Sequence, residues 1–181
     1  PAGTGALVVR RMAQKRMFRI LHGGGQERGL RGGTPNVRGA VGLCEAIKIA
    51  LTEHPVNDLR FRELRDYFIQ ELQTEGVAFQ VNGGAAPSIS NTLNLHIIGV
   101  EGDEMLANCR NLSVSTGSAC NSANPEPSHV LLGMGLGFKR ASESVRISLG
   151  RPTTEADLKE AVSIISGYAR PAQNQAQGDS V

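Results

Sequence analysis

Cys120 lies in the segment of this sequence best suited to covalent chemistry. The run STGSACNSANPEP, residues 115–127, is small and polar. It begins at the end of a predicted strand, residues 113–116, and leads to a predicted helix at residues 128–132. A nucleophilic thiol must be accessible and must ionise, and a loop meets both conditions more readily than a core does. The segment therefore fits a reactive cysteine, and by itself it fits an ordinary surface thiol as well.

The other cysteines and the residues after Cys120 are weaker candidates. Cys44 and Cys109 fall within apolar helical patterns, so we expect both to fill core positions. Three cysteines without close pairs do not match a zinc site or a disulfide framework, and no metal site is predicted. Glu126 and His129 follow Cys120, but Glu-Pro-Ser is typical of a helix start, so we assign neither a role in activating the thiol.

Two further segments could bind anions. The run HGGGQERGLRGGTPN, residues 22–36, contains six glycines, and we expect its Thr34 to cap a helix that begins at Pro35. Such a cap suits a phosphate, and it is also a common helix start without a ligand. In VRISLGR, residues 145–151, Arg146 alternates with apolar residues as in a half-buried strand. Its planar guanidinium suits a carboxylate, and an exposed edge strand would show the same pattern.

Composition and charge argue against several classes of partner. The 19 basic and 17 acidic residues are interspersed and leave a net charge of +2, so no nucleic-acid-binding surface is predicted. No apolar run approaches the roughly 20 residues that span a bilayer, and the first residues lack the layout of a signal peptide. We therefore expect a cytoplasmic protein with no nucleic-acid and no membrane partner.

The elements that position these residues mix helices with short strands. Strands are predicted at residues 5–9, 77–81, 92–97, 113–116 and 145–149. Helices are predicted at residues 35–54 and 56–74, with a break at His54-Pro55. Further helices are predicted at residues 102–110 and 128–132, and after a cap at Thr153 or Thr154. A further break is predicted at residues 133–137, and the Gln/Asn-rich residues 171–181 are predicted to be disordered. The fold class is α/β, with an α+β second half.

Three motifs resemble, in the same order, those of the NifS/IscS-type cysteine desulfurases, which are fold-type I pyridoxal-phosphate enzymes of the class-V aminotransferase group. The glycine-rich run resembles the family's HGGGxExGxRxGTxN loop, the run around Cys120 resembles the long form of its active-site loop, and VRISLGR resembles its carboxylate-binding strand. The resemblance covers nearly all of residues 1–170. It implies the end of the large cofactor domain in residues 1–54, with the start of the bridging helices, and the small α+β domain in residues 55–170.

The resemblance also implies a role for each candidate residue. Cys120 corresponds to the thiolate that takes sulfur from the substrate L-cysteine as a persulfide, with release of L-alanine. Arg146 corresponds to the arginine that binds the substrate carboxylate. Thr34 corresponds to the threonine with which one subunit of the homodimer contacts the phosphate of the pyridoxal phosphate in the other. The sulfur would pass to an acceptor or scaffold protein for iron–sulfur clusters or thiolation.

The family's cofactor-binding lysine lies in a Ser-x-His-Lys motif just before the turn to which Pro1 corresponds. None of the four lysines (Lys15, Lys48, Lys139 and Lys159) follows a Ser-x-His sequence. We therefore expect this chain to be the C-terminal half of a desulfurase that does not run the reaction alone. A selenocysteine lyase, a non-catalytic sulfur carrier and a plain thiol-containing α+β domain are the alternatives.

Overall fold

A computed structural model describes residues 2–84, 86–116 and 126–178. The chain divides into two units, Pro1–Pro55 and Val56–Val181. The division lies next to the boundary predicted between residues 54 and 55. The assignment of the first unit to a larger cofactor-binding domain stays a prediction.

The first unit contains a short helix, α1 (Arg11–Gln14), a 3-10 turn at Glu27–Gly29, and the start of α2. Within the glycine-rich run the backbone crosses itself closely. A Cβ added to Gly32 would lie 2.8 Å from the Cα of Gly23, so the crossing excludes any side chain at this position. The N–H of Gly32 also donates to the carbonyl of Leu21 at 3.0 Å. These contacts give the run a defined path up to Thr34.

The predicted strand at residues 5–9 is wrong. These residues have no strand assignment, and the side chains of Leu7 and Val8 are exposed. A strand needs a neighbouring strand for its backbone groups, and the described residues offer none beside this segment. Apolar composition alone therefore misled the prediction.

A single helix, α2 (Val37–Thr74), replaces the two predicted helices. Its N-cap is Asn36, whose Oδ1 accepts the N–H of Gly39 at 3.0 Å, so the predicted cap at Thr34 is wrong. Pro55 lies inside the helix, and the predicted break there is also wrong. A proline removes one intrahelical hydrogen bond, and the long regular runs on both sides of Pro55 carry the helix across it.

The second unit contains a three-stranded antiparallel sheet of order β1-β2-β3. The strands are β1 (Phe79–Val81), β2 (Thr92–Ile97) and β3 (Ser144–Ser148). Strict alternation gives the sheet one apolar face, which packs into the core, and one polar face. The core face carries Leu93, Leu95, Ile97, Val145 and Ile147, and it meets the buried side chains of α2, which are Phe61, Leu64, Phe68 and Leu72.

The second unit also contains three short helices: α3 (Gly102–Asn108), α4 (His129–Gly133) and α5 (Phe138–Ser142). The break predicted at residues 133–137 is present, but α5 was not predicted. The strand predicted at residues 113–116 is reduced to one bridge between Ser115 and Arg146. Across the described residues, no helix has the length and apolar character to cross a membrane.

The last helix, α6 (Glu155–Gly178), begins with a reciprocal cap. Asp157 Oδ2 accepts the backbone N–H of Thr154 at 2.8 Å, and the Thr154 hydroxyl accepts the N–H of Asp157 at 3.3 Å, so the predicted cap at Thr154 is correct. Disorder was predicted from residue 171, yet the helix continues through residues 171–178. Gln173 explains the difference, because its buried side chain bonds to the backbone at the end of the sheet.

Candidate functional site

A backbone bridge joins the start of the Cys120 segment to the strand of Arg146. The N–H of Ser115 donates to the carbonyl of Arg146 at 3.0 Å, and the N–H of Arg146 donates to the carbonyl of Ser115 at 2.6 Å. Because β3 is an edge strand of the sheet, its free edge is available for this pairing. Two of the three motif segments of the sequence are thus held side by side.

Arg146 points to the polar face of the sheet. In β3 the neighbouring Val145 and Ile147 are buried, whereas Arg146 is exposed. Its guanidinium makes no hydrogen bond or ion pair with any described residue, so its donors face the open side of the sheet. A guanidinium in this state can take a carboxylate through two parallel hydrogen bonds.

Beside Arg146 the polar face carries a buried hydrogen-bond network. Asn82 Nδ2 donates to Asn94 Oδ1 at 2.6 Å and to the Ser144 hydroxyl at 2.9 Å. Asn82 Oδ1 accepts from Arg140 Nε at 2.8 Å, and the Ser144 hydroxyl donates to the Arg140 carbonyl at 2.5 Å. Asn94 is the residue directly opposite Arg146 in the register of β2 and β3. The network therefore ends next to Arg146.

A second polar pair lies further along the same face. His96 Nε2 and Glu143 Oε2 are 2.7 Å apart, and Glu143 is only 5% exposed. Lys139 Nζ lies 3.8 Å from the other carboxylate oxygen of Glu143. This pair ties β2 to the residue that follows α5, so it fixes the position of α5 against the sheet.

Cys120 itself lies outside the described residues. Of the other cysteines, Cys109 is buried as predicted, and this burial raises the pKa of its thiol. Cys44 is exposed on α2, so the prediction that it fills the core is wrong. A buried thiol with a raised pKa is a poor nucleophile, which leaves Cys109 without a chemical role.

Thr34 lies in the first unit, between the glycine-rich run and α2. Its side chain is exposed, and the capping of the helix is done by Asn36 instead. The Thr34 hydroxyl is therefore not needed to satisfy the first turn of α2. It remains able to contact an anion.

The sequence is similar to that of a known protein family. The aminotransferase class-V family model matches residues 1–160. The chain belongs to the aminotransferase class-V family. The membership predicted from the three motifs is confirmed, and so is the predicted fold, since solved NifS-like proteins share it.

Relatives in the class-V family include proteins named cysteine desulfurase IscS. The chain is 41% identical over 166 residues to the one from Shewanella baltica and 40% identical over 167 residues to the one from Haemophilus influenzae, with 92% of this chain and 41% of each relative covered. The chain therefore spans about two fifths of the length of these curated relatives.

Solved structures of the class-V family show the same likeness. A structure described as a NifS-like protein matches with a TM-score of 0.67 and 30% identity, over 82% of this chain and 38% of that chain. DndA from Streptomyces lividans matches with a TM-score of 0.54 and 34% identity, over 72% of this chain and 36% of that chain.

Class-V enzymes of this kind use pyridoxal phosphate, and the described residues fit only part of that cofactor. The exposed hydroxyl of Thr34 suits the phosphate. All four lysines are exposed, so none occupies the desolvated environment in which a lysine becomes a nucleophile. The chain can thus contribute a phosphate contact, and it offers no lysine suited to covalent attachment among its described residues.

The polar network was missed by sequence reasoning. The alternation of Asn94 and His96 with Leu93 and Leu95 predicts strand β2. It does not predict which residues form hydrogen bonds with Asn94 and His96. Asn82, Arg140 and Ser144 come from three other segments, and no local pattern links them. A polar strand face close to a motif arginine is the one signal that could have been used.

Proposed function

We propose that the protein containing this chain is a pyridoxal-phosphate-dependent cysteine desulfurase that acts on L-cysteine. The thiolate of Cys120 attacks the sulfur of the substrate, the Cβ–S bond breaks as the S–S bond forms, and the carbon receives the electron pair and a proton. The products are L-alanine and a persulfide on Cys120, so no external oxidant is required. The proposal includes a cytoplasmic homodimer and delivery of the sulfur to an acceptor or scaffold protein.

The single observation that carries the proposal is the bridge between Ser115 and Arg146. Cys120 follows Ser115 by five residues, and a chain spans at most about 3.6 Å per residue, so its Cα lies within roughly 18 Å of the Ser115 Cα whatever path the segment takes. A carboxylate held by Arg146 would therefore lie within reach of the thiol. The 41% identity to proteins named cysteine desulfurase gives independent support.

Each residue has a separate task in this proposal. Arg146 binds the α-carboxylate and so fixes the orientation of the amino acid, and Thr34 contacts the phosphate of the cofactor in the partner subunit. When bound, pyridoxal phosphate supplies the electron sink that weakens the Cβ–S bond. Cys120 performs the attack and then carries the sulfur away, a task that suits the loop predicted from the sequence around it.

The test is an assay of L-alanine formation from L-cysteine by the full-length protein encoded by the gene that contains these residues. We expect Cys120→Ala to abolish turnover and the persulfide, and Cys44→Ala, the matched control at an exposed thiol, to leave both unchanged. Equal turnover in Cys120→Ala and the control would contradict the proposal. L-Selenocysteine is assayed in parallel, and a protein that uses it but not L-cysteine is a selenocysteine lyase.

The exposed lysines favour a second function for the chain on its own, as a sulfur carrier. A chain without a suitable lysine can still accept sulfur on Cys120 from a complete desulfurase. Mass spectrometry of the chain after incubation with such an enzyme and L-cysteine would then show one added sulfur on Cys120. Absence of that adduct, while the donor enzyme turns over, would exclude the carrier function.

A further inference from the structure

We infer that Asn94 is a second hydrogen-bond donor to the carboxylate that Arg146 binds, and that Asn82 and Arg140 are positioning residues that set the orientation of the Asn94 amide. This inference rests on the proposed function, because it names a further substrate contact in the same site. It begins with Arg140, the one member of the network whose hydrogen-bonding role is fixed by its chemistry.

The direction of every hydrogen bond in the network follows from Arg140. A guanidinium can only donate, so the atom of Asn82 that faces Arg140 Nε at 2.8 Å must be the carbonyl oxygen Oδ1. The other side of Asn82 is then Nδ2, which donates to Asn94 at 2.6 Å. Asn94 must accept this bond through its own Oδ1. Its Nδ2 group, the donor half of the amide, is therefore turned away from Asn82.

Burial prevents the Asn82 amide from reversing its orientation. Ser144 is completely buried and Asn82 is 9% exposed, so neither can exchange its partners for water at low cost. The Ser144 hydroxyl uses its proton on the Arg140 carbonyl and so can only accept from Asn82. Two independent contacts thus hold Asn82 in the same orientation.

Asn94 lies beside Arg146 in the sheet. Asn94 and Arg146 are directly paired across β2 and β3 and lie on the same polar face, and residues paired in this way have Cβ atoms about 4.5–5.5 Å apart. Asn94 is partly exposed, and its Nδ2 has no partner among the described residues. A carboxylate on the Arg146 guanidinium would satisfy it.

Asn94→Asp is the sharpest test, because it changes only the donor half of the amide. The aspartate still accepts from Asn82, so the network survives, but a negative charge replaces the N–H group that faces the substrate. We expect KM for L-cysteine to rise roughly 10-fold to 100-fold in the full-length enzyme, the factor that a hydrogen bond to a charged group provides, with little change in kcat.

Gln80→Glu is the matched control. Gln80 is exposed and pairs with His96, so it carries the same amide-to-acid change on the same face but two strands away from Arg146. KM should stay within about 2-fold of the wild-type value, since an exposed charge at that distance is screened. Equal KM values in Asn94→Asp and Gln80→Glu would overturn the assignment.

Two variants of Arg140 separate positioning from packing. Arg140→Lys keeps a group that can only donate, and we expect a KM close to that of the wild type. Arg140→Glu places an acceptor against Asn82 Oδ1, and the Ser144 hydroxyl can rotate away from the backbone carbonyl of residue 140 to donate to a reversed Asn82. Asn82 and Asn94 then both reverse, Asn94 turns its oxygen toward the substrate, and KM should rise as in Asn94→Asp. A residue that only fills space would give similar KM values in both variants, which would overturn the positioning role.

Binding of L-alanine, the product with the same carboxylate, separates this inference from the proposed function. It is measured by calorimetry on the wild-type and Asn94→Asp enzymes, with ethylamine as the ligand that lacks the carboxylate. Weaker binding of L-alanine alone in the variant supports the inference even if no L-alanine forms from L-cysteine, a result that would overturn only the desulfurase proposal. Unchanged binding overturns the inference and leaves desulfurase activity to be judged by turnover.

Discussion

Replacing Gln173 by alanine tests whether residues 171–178 belong to the folded second unit. The Gln173 side chain is 9% exposed and reaches the backbone where β1 begins and β2 ends. Its Nε2 donates to the carbonyls of Ala78 and Ile98, each at 2.9 Å, and its Oε1 accepts the N–H of Ala78 at 3.0 Å. The alanine variant removes all three bonds and changes no other group.

The expected cost follows from those bonds. The Ala78 carbonyl keeps the bond from the N–H of Ile98 at 3.1 Å, so the groups left without a protein partner are the Ala78 N–H and the Ile98 carbonyl. Three hydrogen bonds at about 1 kcal/mol each lower the free energy of unfolding by about 3 kcal/mol. At a urea slope of about 2–3 kcal/mol per M, the unfolding midpoint falls by roughly 1 M.

Urea unfolding of the 181-residue chain, followed by far-UV circular dichroism, measures this change. Asn174→Ala is the control, because Asn174 is the exposed neighbour on the same helix, and it should change stability by less than about 0.5 kcal/mol. A chain that ends at Arg170 should lose at least as much as Gln173→Ala. If both changes cost no more than the control, the end of α6 contributes nothing, and the reasoning from the three bonds is refuted.

Three further experiments test other contacts. The hydrogen bonds from Thr154 lower the pKa of Asp157. The ionised carboxylate therefore stabilises the fold fully above its unfolded pKa, and this stabilisation is lost as pH falls through its folded pKa. Asp157→Asn should flatten the acid side of a plot of urea midpoint against pH. Iodoacetamide should label Cys44 faster than Cys109 in the native chain and at equal rates in urea, because burial raises the pKa of Cys109 and restricts access to it. Equal native rates would contradict this burial. Gly102→Ala should cost about 1–3 kcal/mol in urea unfolding, because the added Cβ would lie 2.9 Å from the Thr116 methyl group and 3.1 Å from two backbone oxygens; a cost near zero would show that α3 shifts freely.

Local patterns predicted the elements whose own residues carry a clear signal. Strand β2 has the predicted bounds because alternating apolar and polar residues match the two faces of a sheet. The cap of α6 was also predicted, since Thr154 and Asp157 satisfy each other within one turn. In both cases, the residues that form the pattern lie within a few positions of each other, although β2 also needs its distant partner β3 to form.

Elements that depend on distant contacts were predicted poorly. The polar composition of residues 171–178 indicated disorder, yet Gln173 bonds to Ala78, which lies 95 positions away. The candidate site shows the same limit. Arg146 and Thr34 stand out as motif residues, whereas Asn82 and Arg140 are joined across 58 positions and match no motif. The orientation of the Asn82 and Asn94 amides follows only from the contacts of Asn82 with Arg140 and Asn94 in the folded chain.

The two hydrogen bonds between Ser115 and Arg146 have a consequence for how enzymes with this fold can diverge. They fix the chain just before the Cys120 segment, and α4 begins again at His129. Residues inserted or deleted between these two points leave the register of β3 unchanged, because that register is set outside the segment. Under the proposed function, changes in the length of this segment would alter the reach of Cys120 without altering how Arg146 binds the amino acid.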